Sequence, residues 1–134
     1  MSWTFLEYVN ERGQGAIAVW LDSLPIGIRE DVKAALDASL QLIRPVEHLT
    51  RQQNVGKLTN KHGAMGKGLY EIQFKAVKIQ WRPLFCYLPG HKIVLLAGAA
   101  ERGSRLVPDG ICDTAHGRAA QLNEPGRLRA YDYK

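Results

Sequence analysis

The sequence predicts an α+β domain in the order β-α-α-β-β-β-α, with an N-terminal helical hairpin packed on a small antiparallel sheet. Three observations carry this: two helix-periodic stretches divided by Pro25, two alternating stretches at 70–75 and 78–88, and an unbroken apolar run from Ile93 to Ala100. At 134 residues the chain is expected to be a single domain, 1–134, large enough to bury a core without disulfide or metal staples.

Residues Trp3 to Val9 are β-prone and end at the turn-forming cluster Asn10-Glu11-Arg12-Gly13, which reads as a first strand. Ile17, Trp20, Leu21 and Leu24 then fall at the i, i+3, i+4, i+7 spacing of one helical face, and Pro25 stops that helix. A second stripe, Ile28, Val32, Ala35, Leu36, Ser39, Leu40 and Ile43, runs to Pro45, with Asp22, Arg29, Glu30, Lys33 and Asp37 off it. The residue before a proline resists the α region, so the second helix closes there. Val46 to Gly66 has little periodicity and reads as a loop.

Tyr70, Ile72 and Phe74 alternate with Glu71, Gln73 and Lys75, the signature of a strand with one buried face. The stretch Lys78 to Leu88 alternates too, but Pro83 demotes it to an edge or a bulge, because proline cannot donate to a ladder. Leu88-Pro89-Gly90-His91 fits a type II turn. Ile93 to Ala100 fits a central strand covered on both faces. Pro108 to Leu122 shows helical spacing weakened by Gly110 and Gly117, and 123–134 is a polar tail.

Charge is unevenly placed. Residues 51–92 hold eight Lys or Arg against Glu71 alone, a net +7, whereas 1–50 carry −3 and 93–134 carry +1. A localised positive field fits a polyanion ligand such as nucleic acid; a merely solvated surface fits it equally. The longest apolar run is too short to span a bilayer, and no basic segment leads an apolar stretch at the N-terminus. Cys86 and Cys112 lack C-x-x-C spacing, so free thiols and a cytoplasmic setting are expected. His48, His62, His91 and His116 show no metal-ligand spacing, and neither a metal nor another cofactor is expected.

The element order and the residues that punctuate it resemble the RelE/ParE toxin superfamily, most closely its phage-derived, HigB-like branch. The resemblance runs from Tyr8 to about Leu122. It rests on Leu21-Asp22-Ser23-Leu24-Pro25, on Lys57-Leu58 followed by Gly68-Leu69-Tyr70-Glu71-Ile72, on Gln80-Trp81-Arg82-Pro83-Leu84-Phe85, and on Ile93-Val94-Leu95-Leu96-Ala97-Gly98. No single motif is specific; the ordered set is. Three departures stand out. Gln73 and Ala97 replace an expected Arg and His. Glu101 opens a run, Glu101 to Pro108, where the branch has a lysine.

The resemblance implies the toxin of a toxin–antitoxin pair, a ribosome-dependent mRNA endonuclease. A ribose 2′-hydroxyl would attack the adjacent phosphate without a metal. The implied partners are mRNA on the ribosome and a helix-turn-helix antitoxin, with no membrane. Such chemistry needs a proton acceptor, a proton donor and cations for the phosphorane. Arg82 is the first candidate cation, and its loss is expected to cost activity more than folding; its competing role is pairing with Glu71 across the hairpin. Arg102 and Arg105 could converge on the same phosphate. Glu71 would be a base or would hold Arg82, and His62 is the acid–base candidate by its ordinary pKa. Lys57, Lys61, Lys67 and Lys75 would attract RNA without reading sequence. Trp3, Trp20, Tyr70, Phe74 and Trp81 read as core. The alternatives are a non-catalytic ParE-like gyrase inhibitor and a degenerate phage-derived binding protein.

Overall fold

A computed structural model describes residues 2–58 and 68–134, so the candidates Lys61, His62 and Lys67 lie outside the described residues. Strand β1 (Thr4–Tyr8) leads into helices α1 (Ala16–Ser23) and α2 (Ile26–Ile43), inside the bounds that periodicity and Pro25 set. A single 3-10 turn, Leu49–Arg51, precedes β2 (Val55–Lys57), β3 (Tyr70–Ile72), β4 (Phe74–Ala76), β5 (Ile79–Trp81), β6 (Leu84–Leu88) and β7 (Lys92–Ala97). Strands β8 (Ala100–Arg102) and β9 (Arg105–Val107), helix α3 (Ile111–Ala119) and β10 (Leu128–Ala130) complete the described elements.

The class is α+β, but the strands form two sheets rather than one. The larger has the order β10-β1-β7-β6-β3-β2 and the smaller β4-β5-β8-β9. Pairing of β1 with β7 is parallel, which the long connection between them, α1 and α2 included, permits; the other pairings are antiparallel. Each of the three long alternating or apolar stretches in the sequence is broken once, so that β3 continues as β4, β5 as β6, and β7 as β8. The breaks fall at Gln73, Arg82-Pro83 and Gly98-Ala99. At the first, the Gln73 amide donates to the Asn54 carbonyl at 2.7 Å. At the second, Pro83 has no N–H to give, and its carbonyl accepts from Ile72 at 3.0 Å while the Arg82 amide donates to Ala99 at 2.8 Å. Proline thus marks a crossing between sheets, with a register shift at Leu84/Phe85, and both β5 and β6 are internal strands, not edges.

Strand β7 is buried on both faces, as its apolar run requires. Ile93 and Leu95 join Phe5, Ile17, Leu21, Val32, Leu36, Leu40 and Ile43 in one core under the helical hairpin. Val94, Leu96 and Ala97 join Ile111, Cys112, Ala115 and Leu122 in a second core under α3. Because successive strand residues face opposite ways, α3 covers the face that the hairpin leaves.

The polar tail expected at 123–134 instead supplies an edge strand. Leu128–Ala130 pair with β1, and the Tyr131 hydroxyl donates to Asp37 at 2.7 Å. That bond explains why Asp37, off the apolar stripe, is buried; Lys33 also pairs with it. Strand β2, β8 and β9 were also hidden in stretches read as loop. Their three-residue lengths are too short to show a period.

One turn is strained. Between β4 and β5, Val77 and Lys78 sit at φ of 48° and 66°, the left-handed pair a two-residue hairpin demands. A β-branched side chain there is a steric outlier. Replacing the pair with Asn-Gly is expected to raise stability by about 1 kcal/mol or more, since strained residues of this kind cost about 1–3 kcal/mol each. Urea melts check it; an unchanged or lowered midpoint would mean the turn is not held as described.

Candidate functional site

The three breaks lie side by side, and α1 crosses their level. Gly98 matters here because it has no side chain: the Trp20 ring occupies the space that a Cβ at 98 would need. Trp20 also meets Trp81 edge-on, with ring centroids 5.7 Å apart. It is half-buried: the ring packs against the core, as expected, and its other side forms a wall. Beside it opens a cleft of about 820 Å³ lined by α1, β5, the end of β7, the β8–β9 hairpin and α3. Its apolar side includes Val19, Trp20 and Ile79; its polar side includes Lys78, Gln80, Glu101, Arg102 and Arg118.

Arg82 stands behind this polar side. Its Nε lies 3.0 Å from Glu71 Oε2 and an Nη 3.0 Å from Glu101 Oε2, while Nη1 donates to the Trp81 carbonyl at 2.9 Å. The Arg82 side chain is 12% exposed and that of Glu71 8%, so their pair is shielded from water. Glu101, at 40%, reaches the cleft. Thus the structural role weighed for Arg82, pairing with Glu71, is realised, and a second carboxylate joins it. The strand pattern explains Glu71: it faces the same way as Leu84, into the α3 core, where the Arg82 guanidinium offsets the cost of burying its charge.

The other expected residues scatter. Arg102 lines the cleft, but Arg105, its cross-strand partner on β9, lines a separate depression with Asp109 and Asp113 and lies 3.8 Å from Asp109. Arg82 is engaged by two carboxylates, and Arg102 and Arg105 oppose each other across the β8–β9 hairpin. Lys57, on edge strand β2, and Lys75, on edge strand β4, are exposed and outside the cleft.

Sequence reasoning missed Lys78, Glu101 and Arg118. Lys78 was read as one base of the 51–92 block at the start of an alternating stretch, and Glu101 as a departure from a basic run. Arg118 sat within the helical spacing of α3 and was read as part of its periodicity. In the fold it is half-buried: Nη1 donates to the Leu96 carbonyl at 2.7 Å, and the guanidinium lies 5.3 Å from the Tyr8 ring centroid. Burial pulls its pKa down, with the Tyr8 phenol acting the other way. No carboxylate pairs with it among the described residues.

Both thiols are buried and reduced. Burial pushes Cys86 up to about 11 and raises Cys112, the latter aided by Asp113 and Glu71, so neither is an activated nucleophile. Among the described residues no group of three His, Cys, Asp or Glu could hold a metal ion, and no helix is long and apolar enough to cross a membrane.

Comparison with known proteins adds nothing to this geometry: no protein-family model, curated protein or solved structure matches the chain.

Proposed function

We propose that the chain is an endoribonuclease of the RelE/ParE kind, the toxin of a toxin–antitoxin pair acting on ribosome-bound mRNA. The observation that carries this reading is Glu101, an acid held by a shielded arginine, standing in a cleft with Lys78, Arg102 and Arg118, which pair with no carboxylate among the described residues. The ordered motifs from Leu21 to Gly98 support the family, and a helical hairpin packed on a sheet in an α+β domain is compatible with it.

The site residues divide the work. Arg82 orients Glu101, whose carboxylate accepts the proton of the ribose 2′-hydroxyl as the oxygen attacks phosphorus. The 2′-oxygen–phosphorus bond forms and the phosphorus–5′-oxygen bond breaks, leaving a 2′,3′-cyclic phosphate and, as the departing oxygen takes a proton from water, a 5′-hydroxyl. Lys78 and Arg102 stabilise the added charge on the phosphorane. Because the substrate carries its own nucleophile, in-line positioning supplies much of the rate.

One observation favours a second reading. The charge of Arg82 is already spent on two carboxylates, as in a relative that binds a partner without cleaving RNA. Inducing the chain in cells while mapping mRNA 5′ ends and plasmid supercoiling separates the cases. New ends inside translated frames with unchanged superhelicity are expected. Intact mRNA with altered superhelicity favours a gyrase inhibitor, and neither effect rules out both toxin readings.

A further inference from the structure

We infer that Arg118 and the Trp20 wall form a nucleotide subsite for single-stranded RNA, with Arg118 taking a backbone phosphate and the Trp20–Val19 side taking the adjoining base. The inference deepens the proposed function and rests on it for the identity of the polymer. Four observations converge on this pairing. Arg118 is fixed from behind by the Leu96 carbonyl and the Tyr8 ring, so little side-chain freedom is lost when a ligand arrives. Among the described residues only its Nη1 donates to a partner, which leaves further donors of a planar fork suited to phosphate.

Its lack of a carboxylate partner sets it apart from Arg82 and Arg105, each paired with an acid. On the apolar side of the cleft, Val19 is 42% exposed, and the half-buried Trp20 indole lines it from the space that a Cβ at Gly98 would need. An indole is a sequence-tolerant stacking surface for any base. Lys78 and Arg102 on the same rim add attraction for the flanking phosphates. An apolar wall facing unpaired cations suits a base and its phosphate together. An acidic peptide would use the cations but has no planar group for the indole.

The probe is a fluorescein-labelled single-stranded RNA hexamer with 2′-fluoro groups, which binds but lacks the nucleophile. Anisotropy titrations at several salt concentrations would compare the full-length chain with Arg118→Gln, Arg118→Lys and Val19→Glu. Arg118→Gln is expected to weaken binding about tenfold or more and to flatten the slope of log affinity against log salt by about 0.7, one phosphate contact. Arg118→Lys should keep most of the slope and recover only part of the affinity. Val19→Glu places an acid at an exposed position outside the core. It should weaken binding without changing the melting temperature, and it decides the matter if Arg118→Gln does not fold.

Folded Arg118→Gln binding with wild-type affinity and slope would overturn the inference, as would unweakened binding by Val19→Glu. Arg118-dependent binding of a polyglutamate peptide as tight as the RNA would make the cleft a peptide groove instead. RNA binding that depends on Arg118 in a chain that never cleaves mRNA would sink the nuclease reading and leave the subsite standing. Cleavage that survives Arg118→Gln with full RNA affinity would do the reverse.

Discussion

Arg82→Ala is expected to destabilise the fold by about 3–5 kcal/mol, the range for removing one partner of a buried ion pair. The alternating strand suggested a guanidinium at a solvent-side rim, and hence a folded but inactive alanine variant. The bend at Pro83 turns Arg82 inward instead, between Glu71 and Glu101. Glu71 is 6% exposed overall and sits against the α3 core, so the variant strips a shielded carboxylate of its guanidinium. Urea melts of Arg82→Ala, Glu71→Leu and the double variant Glu71→Leu/Arg82→Met form the test. The double variant should recover part of the loss, because removing both charges is milder than exposing one. A stable Arg82→Ala chain, within about 1 kcal/mol of wild type, would mean the triad is not formed as described.

Glu101→Gln should act on chemistry alone. The amide keeps the shape and can still accept a hydrogen bond from Arg82, but it cannot take a proton. General-base catalysis supplies about a hundred- to ten-thousandfold, so cleavage should fall by that order while the melting temperature stays within a few degrees. Exposure of Glu101 limits any structural cost, since partly exposed ion pairs contribute little. Full activity in a folded Glu101→Gln chain would move the base elsewhere.

What was legible in the sequence followed from long periods. The stripes through Leu21 and Leu36 placed the hairpin, and the run through Leu95 placed the central strand, because each repeats a burial pattern over several residues. What escaped depended on single positions where the chain changes sheet. Gln73 and Gly98 look unremarkable in a strand pattern, yet together with Pro83 they divide three strands and open the cleft. The edge strand at Leu128 escaped because three residues carry no period, and Asp37 looked exposed because its partner, Tyr131, lies 94 residues away. The candidate site was legible only by resemblance. That route selected Arg82, Arg102 and Glu71 and passed over Arg118, which reaches the cleft through tertiary packing of α3.

The most direct test of the central claim is the chemistry of the ends left on mRNA cleaved by the purified chain in a reconstituted translation reaction. Attack by the 2′-hydroxyl predicts a 2′,3′-cyclic phosphate on the upstream fragment and a 5′-hydroxyl on the downstream one, both lost when the scissile nucleotide is 2′-deoxy. A 3′-hydroxyl with a 5′-phosphate, or cleavage at the deoxy site, would contradict the account.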